Sequence, residues 1–231
     1  MSESVDYKGY SIEIESDDCP MNPRTDWDNG TIMVCQHGRY SLGDEKHGVD
    51  LDGCNSWADV KKAIVKQKKP IVILPLYLYD HSGITINTTG FSCGWDSSQV
   101  GFIFINEAKA KEIGWTKAYA KTLAKGEDPK YKGKTREEIL TDFMISDVEV
   151  YDNYISGQVY QLTVKDKDGE EVEDGSCGGF YGYDHDKSGL LDHAQSTIDG
   201  EINWNIKQRV EKLKELIKAK VPVIYRVLPS L

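Results

Sequence analysis

The order of apolar and polar positions along the chain predicts strands that alternate with helices. Residues 7–15 alternate, with Tyr10, Ile12 and Ile14 on one face, as in a half-buried strand. The apolar run 71–80 predicts a central strand, although Pro75 lacks a backbone donor and indicates an edge or a bulge. Further strands are predicted at 31–36, 84–89, 100–106 and 223–228. Residues 158–183 are predicted to form a β-hairpin.

Helix starts are predicted by capping residues. Ser56, followed by Asp59, opens a helix over 57–68. Thr135 and Glu138 form a capping box that opens a second helix, which Gly157 ends. Further helical segments are predicted at 107–123, 190–198 and 205–220. Together these elements predict a single α+β domain over 1–231, in which a mixed or antiparallel sheet packs with three to four helices.

Composition limits the classes of function. The chain has 231 residues and a net charge of −10, and no apolar run reaches the ~18–20 residues of a membrane span. The first ten residues lack a signal-peptide pattern, and the five cysteines form no Cys-x-x-Cys pair, so a reducing cytoplasm, that of a host cell, is expected. The acidic balance argues against sequence-specific nucleic-acid binding, because such proteins neutralise phosphates with basic side chains.

A loop rich in acids, CPMNPRTDWDNG at 19–30, is the first candidate site. Its carboxylates would suit Ca²⁺ or Mg²⁺, which bind clustered oxygen ligands. The same residues also suit a rigid loop, in which acids cap backbone amides and an arginine pairs with one acid. The candidate binding residues of this loop are Arg24, Asp26, Trp27 and Asp28.

A second candidate site follows the strands at 31–36 and 71–80. Asp80 would orient His81 as a general base at the rim of the sheet, with Tyr79 beside it. His37 is a further candidate catalytic residue and Arg39 a further binding residue, because on a strand residues 35, 37 and 39 would share one face. A turn in which Asp80 caps the backbone explains the same residues. Cys35, paired with His37, and Cys93, paired with His81, are candidate thiol groups.

The segment DHDKSGLLDHAQ, residues 184–195, follows the order of an EF-hand calcium loop. Its candidate ligands are Asp184, Asp186, Ser188 and Asp192. Two features oppose calcium. The last loop position is Gln195 in place of the bidentate glutamate, and the preceding residues predict a strand in place of an entering helix. No cofactor is certain from the sequence, and Ca²⁺ or Mg²⁺ is the one that its acids suit.

Four stretches carry a family resemblance: NPRTDWDNGTIMVCQHGRYSLGD, LPLYLYDHSGITINTTGFSCGWDSSQVGFIFIN, VEVYDNYISGQVYQL and DGSCGGFYG. Together they resemble an uncharacterised family from phages and other mobile elements of Gram-positive hosts, over residues 5–183. Gly178 departs from the pattern, because the family has a bulky aromatic residue there. The resemblance implies a cytoplasmic accessory protein of a mobile element and implies no reaction.

These observations lead to three hypotheses. The first is an accessory protein that binds and inhibits a host protein or nucleoprotein complex, such as a CRISPR or restriction nuclease, through acidic surfaces that include the hairpin tip 166–174. The second is a metal-dependent hydrolase or nuclease that uses carboxylates of the 17–28 loop with His37 or His81. The third is a structural or assembly role, which would appear as a stable homo-oligomer.

Overall fold

The computed structural model describes residues 3–228. Within this range the chain forms eight strands, five helices and a short 3₁₀ turn. The strands are β1 (Glu3–Tyr7), β2 (Tyr10–Ser16), β3 (Ile32–Cys35), β4 (Pro70–Asp80), β5 (Ile84–Asn87), β6 (Ser97–Asn106), β7 (Val159–Lys165) and β8 (Glu171–Tyr181). The helices are α1 (Trp57–Lys68), α2 (Glu107–Glu112), α3 (Lys117–Lys125), α4 (Arg136–Ile155) and α5 (Leu190–Lys218).

Backbone contacts divide the chain into two compact units, each with its own sheet. Of the described residues, 3–20 and 158–228 form the first unit, and 21–157 form the second. The first sheet has the order β1-β2-β7-β8 and the second the order β3-β6-β4-β5, and all their pairs are antiparallel. The α+β class and the antiparallel pairing predicted from the sequence are therefore confirmed. The single-domain organisation stays a prediction.

The first unit packs the N-terminal half of α5 against one sheet. The strand predicted at 7–15 is the second arm of a hairpin, because Lys8 and Gly9 turn the chain with φ of 51° and 85°. Such a pair of positive φ values is typical of the tight turns that join two twisted strands. The buried core of this unit is formed by Ile12, Ile14, Leu162, Val164, Val172, Leu190, Ala194 and Ile198.

The second unit covers both faces of its sheet with helices. Strand β6 is buried at every position from 100 to 105, which explains its continuous apolar sequence. On one face α4 and α2 contribute Ala110, Leu140, Met144, Val148 and Tyr151 to the core. On the other face α1 contributes Val60 and Ile64, which pack with Val34, Phe102 and Phe104.

The centre of the second sheet tolerates an unusual proline and requires a glycine. Pro75 pairs with Phe102 on the β6 side, and β5 pairs only with residues 77–80 of β4, so the missing N–H of Pro75 disrupts no pair there. A bulge follows between Leu76 and Tyr77, as the proline indicated. A Cβ at Gly101 would lie 2.0 Å from the carbonyl oxygen of Val34, so the close contact of β3 with β6 depends on glycine.

Capping residues define two helices of the second unit as predicted. The hydroxyl of Ser56 accepts from the N–H of Asp59 at the start of α1. Thr135 and Glu138 form the complete capping box of α4. The helix predicted over 107–123 is instead two helices, because Gly114 takes a φ of 80° between them and the Thr116 side chain caps α3.

The C-terminal elements differ from the sequence predictions. Helix α5 is continuous over 29 residues, where two separate helices were predicted. Its buried residues Leu190, Ala194 and Ile198 pack on the sheet, and the helix continues through residues 199–204, which lie between the two predicted segments. The edge strand predicted at 223–228 is wrong, because Pro222 leads into a 3₁₀ turn at Val223–Tyr225. Among residues 3–228, no helix is both long and apolar enough to cross a membrane.

Gly178, the position that departs from the family pattern, lies in β8 where the carboxylate of Asp17 approaches. A Cβ at Gly178 would lie 2.7 Å from Oδ2 of Asp17, and that oxygen accepts from the N–H of Gly179 at 2.9 Å. A larger side chain at position 178 would therefore displace the Asp17 carboxylate from the N–H of Gly179.

Candidate functional site

Arg24, in the acid-rich loop, has a fully buried side chain that joins three parts of the second unit. Its Nε and Nη2 donate to the carboxylate of Asp44 at 2.8 and 3.0 Å. Its Nη1 donates to Oδ2 of Asp147 in α4 at 3.0 Å, and also to the hydroxyl of Thr31 at 3.1 Å. The side-chain exposure of the guanidinium is 0%, against 17% for Asp44 and 14% for Asp147.

The two carboxylates that pair with Arg24 also hold backbone and side-chain donors. Asp44 accepts from the N–H of Met33 at 2.9 Å, and Asp147 accepts from the hydroxyl of Thr31. Buried charges persist when their hydrogen bonds are satisfied in this way. This arrangement makes Arg24 a structural link between the loop, β3 and α4. Its assignment as a binding residue stays a prediction, with no exposed donor to support it.

The other candidate residues of the loop serve local turns or lie on the surface. Asp26 accepts from the N–H of Asn22 at 2.8 Å and from the hydroxyl of Thr25 at 2.9 Å. Asp28 is exposed, and Trp27 is 40% exposed. The loop acids therefore do not converge: across residues 3–228, no three His, Cys, Asp or Glu side chains are grouped to hold a metal ion.

The structure brings the segment 37–40 to the end of β4, which links two of the predicted sites. The Tyr40 hydroxyl donates to Oδ1 of Asp80 at 3.1 Å, and Arg39 pairs with Oδ2 of the same residue at 3.2 Å. The hydrogen bond to Asp80 raises the pKa of Tyr40. His37 stacks on Tyr40 with 5.0 Å between ring centres. Asp80 therefore binds Tyr40 and Arg39, where the sequence predicted an Asp80–His81 pair.

His81 pairs with a different carboxylate from the predicted one. Its Nδ1 lies 3.5 Å from Oδ2 of Asp96, and the Cys93 thiol donates to the same oxygen at 3.6 Å. The carboxylate thus lies between the thiol and the imidazole, whereas a nucleophilic thiol needs the imidazole as its direct neighbour. Tyr79 packs beside His81, with 6.2 Å between ring centres. Sequence reasoning missed Asp96, which has no motif and stands four residues before Val100, where the apolar part of β6 begins.

Cys35 does not form the predicted pair with His37. Strand β3 ends at Cys35, so the alternation that would place the two on one face does not continue. The nitrogen Nδ1 of His37 instead accepts from the N–H groups of Arg39 and Tyr40 at 3.2 and 3.3 Å. Burial, with the nearby charge of Asp44, raises the pKa of Cys35 to about 12, so this thiol is protonated at neutral pH and is a poor nucleophile.

A polar cleft of about 900 Å³ opens beside these residues. His37, Arg39 and Tyr40 line it together with Glu45, His47 and Trp57. Within the described chain, its lining includes neither His81 nor the acids of the 19–30 loop. The cleft therefore collects the predicted catalytic residue His37, the predicted binding residue Arg39 and the candidate thiol Cys35.

The EF-hand-like segment lies in the first unit, between β8 and α5. Asp184 accepts from the N–H of Lys187 and pairs with its Nζ at 2.8 Å, and this contact lowers the pKa of Asp184. Asp192 lies in the first turn of α5, and Asp186 and Ser188 lie in the connecting loop. A strand and not a helix precedes the loop. The ammonium of Lys187 pairs with the carboxylate of Asp184, which would be the first calcium ligand of the loop. Among the described residues, the acids of this loop are not grouped to hold a metal ion. The calcium site therefore stays a prediction that this arrangement does not support.

A groove of about 630 Å³ in the first unit has both an apolar and a charged lining. We call it the acidic groove. Its apolar lining consists of Tyr10 and Val172 from the sheet with Ile202 and Ile206 from α5. The charged residues around it are Asp166, Asp168, Glu171, Glu173, Glu201, Lys8 and Lys167. Five carboxylates and two ammonium groups thus surround an apolar floor.

Carboxylates outnumber ammonium groups around the acidic groove. Lys8 forms an ion pair with Asp199 at 2.6 Å, which offsets its positive charge. Burial raises the pKa of Tyr10, and the carboxylates of Glu201 and Asp166 raise it further. The excess of carboxylates around the apolar floor suits a cationic ligand. The sequence indicated this groove only through the acid-rich hairpin tip 166–174. Ile202 and Ile206 reach the groove because α5 is one continuous helix, which the sequence did not predict.

No family model, curated protein or solved structure matches this chain. The family resemblance of the four motif stretches therefore stays a prediction.

Proposed function

We propose that this protein is an accessory protein of a mobile element that binds and inhibits a host factor. The acidic groove is the observation that carries this proposal. Its apolar floor suits the aliphatic stem of a lysine or arginine, and its rim suits the charged head of the same side chain. A basic segment of a host nuclease, CRISPR or restriction, has this chemistry, because nucleases bind phosphates with basic surfaces.

The thiol and histidine sites favour binding over catalysis. Cys35 is protonated at neutral pH because burial raises its pKa. His81 has a side chain that is 63% exposed. The acids predicted to assist it are engaged elsewhere, because Asp80 binds Tyr40 and Arg39 and Asp26 supports a local turn. Catalysis needs groups held together in a site that excludes water. The groove, in contrast, offers what binding needs: a concave apolar surface with charges at its edge.

Phage plating on a host with an active defence nuclease tests the proposal. Expression of the protein is expected to raise the plating efficiency of a restricted phage. The variant Asp168→Lys/Glu173→Lys is expected to lose this effect, because it reverses two charges of the groove. Asp52→Lys/Glu149→Lys changes the net charge equally at exposed positions of the second unit and is expected to keep it. A groove variant that protects phage as well as the wild type would overturn the proposal.

A metal-dependent hydrolase is the second candidate, and the His81–Asp96 pair favours it. A carboxylate beside an imidazole nitrogen orients the ring as in many general bases. This function predicts that His81→Ala and Asp26→Ala abolish activity in the same plating assay and that a chelator releases a bound metal. The binding proposal predicts that both variants stay active. Loss of protection in His81→Ala with an intact fold would favour the hydrolase.

A further inference from the structure

The second half of α5 exposes an apolar stripe that is separate from the first half, which packs on the sheet. Ile206, Val210 and Ile217 are 46%, 44% and 52% exposed. With the half-buried Leu213 they form the stripe, whose spacing of four, three and four residues is that of core positions in a coiled coil. We call these four residues the α5 stripe. Monomeric proteins rarely leave such a contiguous apolar surface without a partner.

The residues that flank the α5 stripe are basic. In the heptad set by the stripe, the flanking positions are 207, 209, 214 and 216, and three of them are Lys207, Arg209 and Lys214. Over residues 203–218 the helix has five basic and two acidic residues. Lys214 pairs with Glu211 on its own helix at 2.8 Å. No ion pair engages Lys207 or Arg209 in the described part of the chain.

These flanking charges exclude a second copy of the chain as the natural occupant. In a parallel pair of helices, Arg209 of one copy would face Lys214 of the other. In an antiparallel pair, Lys207 would face Lys214, so both orientations bring cations together. Like charges across such an interface discriminate against that pairing. The complementary partner is a helix with the same apolar spacing and acidic flanks.

We propose that the α5 stripe binds an amphipathic helix of another protein whose apolar seam is flanked by Glu or Asp. An anionic membrane is the less suitable occupant, because a flat surface would also meet the carboxylates of the acidic groove next to Ile206, on a chain of net charge −10. A helix contacts only the stripe and its flanks. The α5 stripe shares only Ile206 with the acidic groove that carries the proposed function, and its other three residues and its basic flanks lie outside the groove lining.

Two synthetic 21-residue helical peptides test the proposal: both have Leu and Ile at the seam, one with Glu and the other with Lys at the flanks. The full chain is expected to bind the Glu peptide at least about tenfold more tightly, and this preference is expected to shrink as salt rises. Lys207→Glu/Arg209→Glu/Lys214→Glu is expected to reverse the preference. Lys207 and Lys214 are exposed and Arg209 is half-buried, so circular dichroism checks that the fold of this variant is intact.

A stripe variant and two further measurements complete the test. Val210→Ser/Ile217→Ser is expected to abolish peptide binding, whereas the groove variant Asp168→Lys/Glu173→Lys is expected to retain it. Failure of the two proposals is therefore distinguishable. Equal affinity for both peptides, a stable dimer of the chain alone by light scattering, or binding to anionic vesicles in preference to the Glu peptide would each overturn the inference.

Discussion

Arg24→Met tests the claim that the acid-rich loop is a scaffold. The substitution removes a guanidinium with 0% exposure and leaves the carboxylates of Asp44 and Asp147 buried without their cation. Removing one partner of a buried ion pair typically costs about 3–5 kcal/mol, because the remaining charge loses both its partner and water. Against a typical stability of about 5–15 kcal/mol, this is a large fraction of the total.

Urea unfolding followed by tryptophan fluorescence measures this loss. Four of the five tryptophans lie in residues 21–157, so the signal reports mainly on the second unit. Arg39→Met is the matched control, because Arg39 also pairs with an aspartate but has a side chain that is 75% exposed. An exposed pair contributes only about 0–1 kcal/mol. If Arg24→Met costs no more than Arg39→Met, the assignment of Arg24 as a structural link is wrong.

Three further predictions concern individual positions. Burial raises the pKa of Asp152 above its ordinary 3.8, so the folded state binds the proton more tightly and stability falls as pH rises through the interval above that value. Asp152→Asn is expected to remove this slope, which urea midpoints between pH 3.5 and 6 check; an unchanged slope would contradict it. Gly101→Ala is expected to cost at least about 1–3 kcal/mol, because its Cβ meets the Val34 carbonyl. Gly200→Ala, with open space around its Cβ in α5, is expected to raise the thermal midpoint through a gain of about 0.5–1 kcal/mol; a loss of stability in this variant would refute the open-space argument.

The sequence predicts best the elements whose ends depend on local chemistry. The capping residues Ser56 and Thr135 placed the starts of α1 and α4 correctly, because a cap is satisfied by a backbone N–H three residues away. The hairpin at Lys8-Gly9 was missed, since only Gly9 is a typical turn former and a lysine rarely takes the positive φ that Lys8 adopts. The continuity of α5 was missed because Gly200 weakens a helix locally, and only the buried contacts of its first half with the sheet offset that cost.

The candidate site was less predictable because its contacts join distant parts of the chain. Arg24 and Asp147 are 123 residues apart in the sequence. A signal did exist for Asp147: it is an acid near the apolar face of α4, next to the buried Val148. Such a polar residue at a core face predicts a buried partner without naming it. His81 and Asp96 gave no comparable signal, since both lie in irregular segments where periodicity is lost.

The motifs indicated a binding site in the charged loop and a buried face on the amphipathic helix. The exposed fractions show a buried arginine in the loop and exposed apolar residues on the helix, where the proposed binding surface lies. The charged loop at 19–30 holds its arginine inside, where the guanidinium stabilises the fold and is not available to a partner. The amphipathic helix, expected to bury its apolar face, exposes Val210 and Ile217 instead. Exposed apolar side chains contribute nothing to the stability of the isolated chain, whereas their burial by a partner gains about 25 cal/mol for each Å² removed from water. The first unit, with the acidic groove and the α5 stripe, is therefore where substitutions should change binding without unfolding the protein.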